Sequence, residues 1–425
     1  MRASRRPRDR PRRTDAEAAR RRDRAITARR DRRAPARETG RREHAASRRG
    51  PRVTAPRRIA VATGSRAEFG LLHPVMRAID DHPKLELAVL VAGTHLLGPD
   101  ATVTEVEASF DIAARIPMLE PGETSRVRDA EALGRGLSGF AAWIGAHTVD
   151  CMLVLGDRIE AFAAAAAASV AGIRVAHMHG GDRAPGIADE AMRHAITMLS
   201  HIHLPATRRS ADRIIAMGEV SARVHVVGSP AVDGLDAIPA LDDEAFDALG
   251  APDIVVLQHP LGRPADHEQA VATGVFKACR RAGRVLAMHP NHDPGREGIL
   301  AAIQGSGVGG CRHLPRHDFV GLLRRVRLLV GNSSAGLIEC AALGVRSVNV
   351  GPRQDGRERP DNVLDVPDPR QDDFDEVQAA IATALAGPAA PARHPFGDGD
   401  AGLRTAAVLA SFDLETHPLA KKTTH

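Results

Sequence analysis

Cysteine is scarce. Cys151, Cys279, Cys311 and Cys340 are the four in 425 residues, and they stand far apart, with no CxxC or other metal-ligand spacing. Neither a zinc site nor a disulfide framework is indicated, and a reducing, cytoplasmic setting is expected. Long apolar runs are missing too. None reaches the roughly 18 to 20 residues of a membrane span; the longest candidate, Ala161 to Ile173, consists mostly of small residues and reads as a buried helix. Lysine is nearly absent, with four among 58 basic residues, and no internal repeat of fixed period is visible.

The missing lysine points to what is abundant. Residues 1 to 58 hold 23 arginines and seven acids, a net +16, so the chain total of +5 conceals a body of −11. This Arg-rich stretch has few apolar residues and no periodicity, so residues 1–56 are expected to be a disordered extension. Clustered arginine would suit a nucleic-acid arm, but interspersed acids and the lack of aromatics argue against that use. The missing apolar h-region excludes a signal peptide, and the acids and few serines count against a transit peptide. The extension is expected to be incidental, as a start site taken too early would make it, with Val53 just before the first strand.

From Arg58 on, short β-branched or apolar runs alternate with helical patterns. Strands are expected at Ile59–Thr63, Leu85–Ala92, Cys151–Leu155, Arg174–His177, Ile202–Pro205 and Val224–Val227, with helices near 105–110, 126–149, 158–171 and 187–200. A Pro-, Gly- and Asp-rich stretch, residues 230–253, marks a boundary. A second series follows, at Asp253–Gln258, Arg284–His289, Cys311–Leu314, Leu328–Val330 and Ser347–Val350. The pattern predicts an α/β chain of two facing doubly wound domains, 57–235 and 250–370, whose cleft is the default site. Residues 371–415 read as two amphipathic helices packing on the domains, and 416–425 as a tail.

The chemistry-bearing groups fall after strands. In "LLVGNSSAGLIECAALG" (residues 328–344) Ser333 and Ser334 stand where a helix is expected to begin, a place where free N–H groups and the helix dipole attract anions. Glu339 is expected one turn or more into that helix, able to accept from sugar hydroxyls. Arg66 in "IAVATGSRAEFG" can clamp a phosphate. Asp157 and Arg158 follow one strand; His177, His179 and Asp182 follow the next; Asp189, Glu190, Arg193 and His194 come after. Such a cluster suits acid–base chemistry. A metal at His177, His179 and Asp182 is the lesser reading, and His194, His201 and His203 read as packing residues. His259, His289, Arg353, Gln354 and Arg357 follow strands of the second series.

Nine blocks in order, among them "GSRAEFGLLHPV", "LGDRIEAFA", "HGGDRAPGIADEAMRHAITMLSHIH", "LQHP", "HPNHDPG", "GNSSAGLIECAALG" and "GPRQDGRERPDNVLDV", make residues 57 to 368 resemble the hydrolysing UDP-N-acetylglucosamine 2-epimerases. The resemblance implies two facing Rossmann-like domains of the glycosyltransferase-B fold and an active site in the interdomain cleft. It also implies release of N-acetylmannosamine and UDP, as in sialic-acid-type synthesis, a homo-oligomer, and no metal or cofactor. It places Arg66, His259, Ser333 and Ser334 at the diphosphate, Glu339 at the ribose, and Arg353 and Gln354 on the nucleotide side. His95, Asp157, Arg158, Asp189 and Arg193 fall around the sugar, with Asp157 and Asp189 both candidates for proton transfer and water orientation. One departure stands out: familiar members read "HIEGGE" where this chain has "HMHGGD", so His179 and Asp182 replace glutamates. The rival readings are a non-hydrolysing epimerase, a glycosyltransferase of the same fold, and a nucleic-acid binder using the extension.

Overall fold

The computed structural model describes residues 55–98, 101–122, 125–183, 189–291, 293–369, 374–388, 390, 393–413 and 419–421, so the expectations for residues 1–54 lie outside the described residues. The first half alternates β1 (Arg57–Thr63), α1 (Arg66–Asp80), β2 (Leu85–Ala92), α2 (Val103–Glu107), β3 (Ile112–Ile116), α3 (Arg126–Ala146), β4 (Cys151–Leu155), α4 (Ile159–Val170), β5 (Arg174–Met178), α5 (Asp189–Leu199), β6 (Ile202–Leu204) and α6 (Arg208–Ala216). After α7 (Asp243–Ala248) come β7 (Ile254–Leu257), α8 (Ala265–Arg280), β8 (Val285–Met288), α9 (Arg296–Ser306), β9 (Gly309–Cys311), α10 (Arg316–Leu323), β10 (Leu328–Gly331), α11 (Glu339–Leu343), β11 (Arg346–Val350) and β12 (Val363–Val366). Two helices close the chain, α12 (Asp375–Ala386) and α13 (Ala401–Ser411).

The strands form two parallel six-stranded sheets, β3-β2-β1-β4-β5-β6 and β12-β11-β10-β7-β8-β9. Both are doubly wound, the glycosyltransferase-B arrangement anticipated above. The inner strands are buried on both faces, which is why they read as continuous apolar runs. Flanking helices bury one stripe each. In α1 that stripe is Phe69, Leu72, Val75, Met76 and Ile79, at helical spacing, and Ser65 caps the helix by accepting the Glu68 N–H. Each such side chain contributes about 1.5–3 kcal/mol when fully buried. In α4, alanines at 161, 163, 164, 165, 167 and 168 are all buried, and their small size lets this helix lie close to the sheet and to Phe140 of α3.

Three expectations need correction. Val224–Val227 is no strand; it makes a single bridge, His203 to Val224, beside the short edge strand β6. The edge strands β3 and β12 were not anticipated, and the edge strand β9 lies at Gly309–Cys311 instead of the expected Cys311–Leu314. The helix expected from Ser333 is broken in two: Ser334–Gly336 form a 3-10 turn capped by Ser333, and the α-helix begins only at Glu339. Glu339 therefore opens α11 instead of lying a turn inside it.

Connections between the sheets run through 3-10 turns at Pro230–Val232 and Leu235–Ala237. The chain later returns to the first lobe, where the Asp233 carboxylate accepts the Ala401 and Gly402 N–H groups (3.0 and 2.7 Å) at the start of α13. Helix α12 packs on the second sheet through Val377, Ile381 and Ala384, and α13 on the first through Ala406 and Leu409.

Candidate active site

The carboxyl ends of β1, β4, β5, β8, β10 and β11 all deliver residues to one cavity between the sheets, the place where open α/β sheets bind ligands. From the first lobe come Ser65, Glu68, Gly156, Asp157, Arg158, His179, Asp182 and Arg193; from the second come Asn291, Ser334, Glu339, Arg353, Gln354 and Arg357. The cavity thus gathers Asp157, Arg158, His179, Asp182, Arg193, Ser334, Glu339, Arg353 and Gln354 of the residues expected from the sequence.

The first-lobe wall is a tight polar network. Arg193, 1% exposed, is ion-paired with Asp157 and donates to the Asp182 carbonyl at 3.1 Å. Burial, with Arg357 and Arg353 nearby, pushes its pKa down to about 9. His179 sits at φ 59°, in the left-handed region, right after β5. Both its ring nitrogens are engaged: Nδ1 meets Asp182 Oδ2 and Nε2 meets Ser229 Oγ, each at 3.0 Å. Asp182 also accepts from Ser210 Oγ at 2.7 Å. Burial raises the Asp182 pKa, but hydrogen bonds from His179 and Ser210 and the charges of His179 and Arg357 outweigh it, holding the carboxyl below its ordinary value. His179 thus lines the cavity and holds Asp182 in it.

Across the cleft, Asn332 staples three loops. It exchanges hydrogen bonds with the His259 backbone (2.7 and 2.8 Å), and its carbonyl accepts from Gln354 Nε2 at 2.7 Å and Arg353 Nη1 at 3.3 Å. Gln354 is buried with Oε1 lacking a hydrogen-bond partner among the described residues. Glu339 is buried, which raises its pKa against the pull of Arg316, 3.8 Å away. Arg158 joins the lobes, pairing with Asp293 of the second at 3.3 Å and with Glu160 of its own at 3.5 Å.

Other expected residues stand elsewhere. Arg66 is turned onto Glu105, its Nε 2.7 Å from the carboxylate. His95 is fully buried between Thr63 (3.1 Å) and Thr102 (2.7 Å), with a pKa pushed down by burial to about 4, so it packs behind the cavity instead of lining it. His259 is buried with Nδ1 accepting the Asn291 N–H at 3.1 Å. Ser333 spends its hydroxyl on the Ala335 N–H. Asp189 opens α5, and its side chain lies outside the described residues. The lesser metal reading finds no support: no group of three metal-ligating side chains occurs among the described residues. The sequence reading missed Glu68 and Asn291 as lining residues; the only available signal was their place just after a strand.

A family profile described as UDP-N-acetylglucosamine 2-epimerase matches residues 77–410. The chain belongs to this family. Among the relatives of this epimerase is the hydrolysing UDP-N,N'-diacetylbacillosamine 2-epimerase of Legionella pneumophila, 34% identical over 86% of this chain and 98% of its own. A UDP-N-acetylglucosamine 2-epimerase of Neisseria meningitidis serogroup B is 30% identical over 77% and 88%. In fold, the epimerase resembles the Neisseria meningitidis UDP-GlcNAc 2-epimerase solved with UDP-GlcNAc bound, at TM-score 0.69 and 18% identity over 83% of this chain and 99% of that one. Among its described residues no helix is long and apolar enough to cross a membrane.

Proposed function

We propose that this family member is a hydrolysing epimerase of a UDP-linked 2-acetamido sugar, converting UDP-N-acetylglucosamine or a close analogue to N-acetylmannosamine, or the corresponding 2-epimer, plus UDP. The observation that carries this is the cavity itself, in which paired acids and guanidiniums of the first lobe face the Ser334, Glu339 and Arg353 wall of the second. Burial raises the pKa of Glu68 and of Glu339, so two of its carboxyls lean toward the neutral form while Arg158, Arg193, Arg353 and Arg357 keep the cavity receptive to a diphosphate. The name of the Legionella relative, hydrolysing and 34% identical, supports water as the acceptor.

In this reading the nucleotide lies on the second lobe, with Ser334 and Arg353 toward the phosphates, Glu339 on the ribose and Gln354 presenting its unpaired carbonyl oxygen. The carbon 2 proton is only weakly acidic, so its removal is coupled to departure of UDP from carbon 1, giving a glycal. Water then adds at carbon 1 as carbon 2 is protonated from the opposite face. Guanidiniums at the diphosphate stabilise the charge that develops on the leaving group. Asp157, held by Arg193, and Asp189 serve proton transfer and water orientation; Asp182 is held by His179. Arg66 and His259 join the phosphates only if they turn from their present partners. The cavity, ≈ 170 Å³, is smaller than the roughly 300–1,000 Å³ of ordinary ligand sites, so in this reading the lobes open to admit a nucleotide sugar, and the Arg158–Asp293 pair is one contact across the opening. A cytosolic location accompanies this reading.

The test is proton NMR of the full-length protein in deuterated water with UDP-N-acetylglucosamine and, separately, UDP-N,N'-diacetylbacillosamine. The expected products are UDP and a free 2-epimer carrying deuterium at carbon 2. A product still linked to UDP would replace hydrolysis by simple epimerisation, and turnover of neither substrate would overturn the proposal.

A further inference from the structure

We propose that Glu68 is the general acid of this reaction, a neutral carboxylic acid lining the cleft that passes its proton to the departing phosphate. The inference rests on the epimerase reading above and assigns one of its steps. Glu68 lies in the first turn of α1, just after the Ser65 cap, and lines the same cavity as Asp157, Arg158 and, from the other lobe, Ser334. It is buried, at 6% exposure, and its Oε2 accepts the Gly64 N–H at 2.6 Å.

The surroundings do not supply this carboxyl with a counter-ion. Among the described residues no cation lies within ion-pair distance of it. Arg158, the cation nearest in effect, is already shared by Glu160 and Asp293. Arg66, two residues away on the same helix, is bound to Glu105. The acid packed beside Glu68 is Glu160 of α4, buried and paired with the same Arg158 at 3.5 Å. Glu160 lies against the same glycine, since a Cβ on Gly64 would come within 2.4 Å of its Cγ. From the second lobe, Glu339, Arg353 and Arg357 add to the charged lining. Two buried acids flanking one glycine cannot both ionise cheaply. Burial, with Glu160 adding to it, pushes the Glu68 pKa up to about 8 against the Gly64 hydrogen bond and Arg158. A buried acid with a pKa near the working pH is what general acid catalysis requires.

The proton count closes. As the base takes the proton from carbon 2, the bond between carbon 1 and oxygen breaks with its electron pair going to the phosphate oxygen, which takes the Glu68 proton. The carboxylate left behind keeps the Gly64 N–H and the field of Arg158. When water adds, its oxygen goes to carbon 1 and its released proton returns to Glu68, while a separate acid protonates carbon 2.

The experiment compares full-length wild type with Glu68→Gln and Glu68→Asp, measuring UDP release as kcat and KM against pH, and UDP affinity by calorimetry. Glutamine keeps the shape and a hydrogen-bond donor but transfers no proton. Glu68→Gln is expected to hold UDP affinity and KM within about twofold, to lose kcat by ~100-fold or more, and to lack the decline in rate above about pH 8 that the assignment expects of the wild type. Glu68→Asp is expected to recover part of kcat together with that decline. Wild-type kcat in Glu68→Gln with the alkaline decline intact would overturn the assignment while leaving the epimerase reading standing. A wild type that releases no UDP would overturn both. Should the variants fail to fold, infrared spectra of the wild type still test the assignment: the absence of any protonated carboxyl band that vanishes as the pH passes about 8 overturns it.

Discussion

Replacing Arg193 by methionine isolates the interaction that holds the first-lobe wall together. Methionine fills much of the same volume in a site 1% exposed, but it removes the ion pair to Asp157 and the 3.1 Å hydrogen bond to the Asp182 carbonyl. Breaking a buried pair from one side typically costs ~3–5 kcal/mol, because the partner charge stays where it was. The Asp157 side chain keeps 17% exposure, which favours the lower end of that range. At roughly 2–4 °C per kcal/mol for a domain of this size, the midpoint of thermal unfolding should fall by about 6–12 °C. Adding Asp157→Asn should restore part of the loss, since the orphaned charge is then gone, with a coupling of about 1–3 kcal/mol. Calorimetry on wild type, the two single variants and the double variant measures the cycle. A midpoint for Arg193→Met within about 2 °C of wild type, or strict additivity in the double variant, would refute the reasoning.

Four further outcomes are expected. Arg66→Ala should slow UDP release at least ~100-fold, the scale of one transition-state donor; near-normal turnover would remove Arg66 from the mechanism. Burial holds His177 and His259 at pKa values of about 3, and His95 and His201 at about 4. The unfolded chain takes up these protons below about pH 6.5, so stability is full above that pH and falls as the pH drops toward 4, and a flat unfolding midpoint from pH 7 to 4.5 would contradict it. Gly331→Ala should destabilise by about 1–3 kcal/mol, because φ is 134° and the new Cβ would lie 2.2 Å from the Leu257 carbonyl oxygen; chemical denaturation measures it. Removing residues 1–52 should leave turnover of nucleotide sugar unchanged, and a loss of kcat would give the Arg-rich extension a catalytic part.

Inner strands were legible because burial on both faces makes them continuous apolar runs: Leu85–Ala92 and Cys151–Leu155 were located to the residue. Two edge strands, β3 and β12, were not. In β3, "IAARI", a half-exposed strand carries an arginine, and β12, "VLDV", carries an aspartate, so neither shows the run. "HVV" at 225–227 misled in the opposite sense: Val226 is 43% exposed, and one bridge with two N–H groups, of His225 and Val227, donating to the His203 and Pro205 carbonyls ties the segment to β6 without making it a strand. The cleft was legible as a set of strand ends. What could not be read was which end faces inward: Arg66 pairs with Glu105, 39 residues on, and His95 fits between two threonines. Glu68 escaped notice because its importance comes from Glu160, 92 positions away in sequence, being buried against the same glycine.

The return of the chain to the first lobe bears on how the protein is made. Ala406, Leu409 and Phe412 belong to the same core as β1 and α1, and Arg57, at the start of β1, donates to the Leu409 and Phe412 carbonyls at 2.8 and 2.7 Å. Domains generally fold in order of emergence from the ribosome. Here the lobe synthesised first must wait, with one flank of α1 uncovered, until α13 has been translated. The second lobe, made later, has its own covering helix in α12 and can close before it. A nascent chain that has emerged from the ribosome as far as 387–400 would therefore carry a finished second lobe beside an unfinished first one, the form most exposed to aggregation and to chaperones.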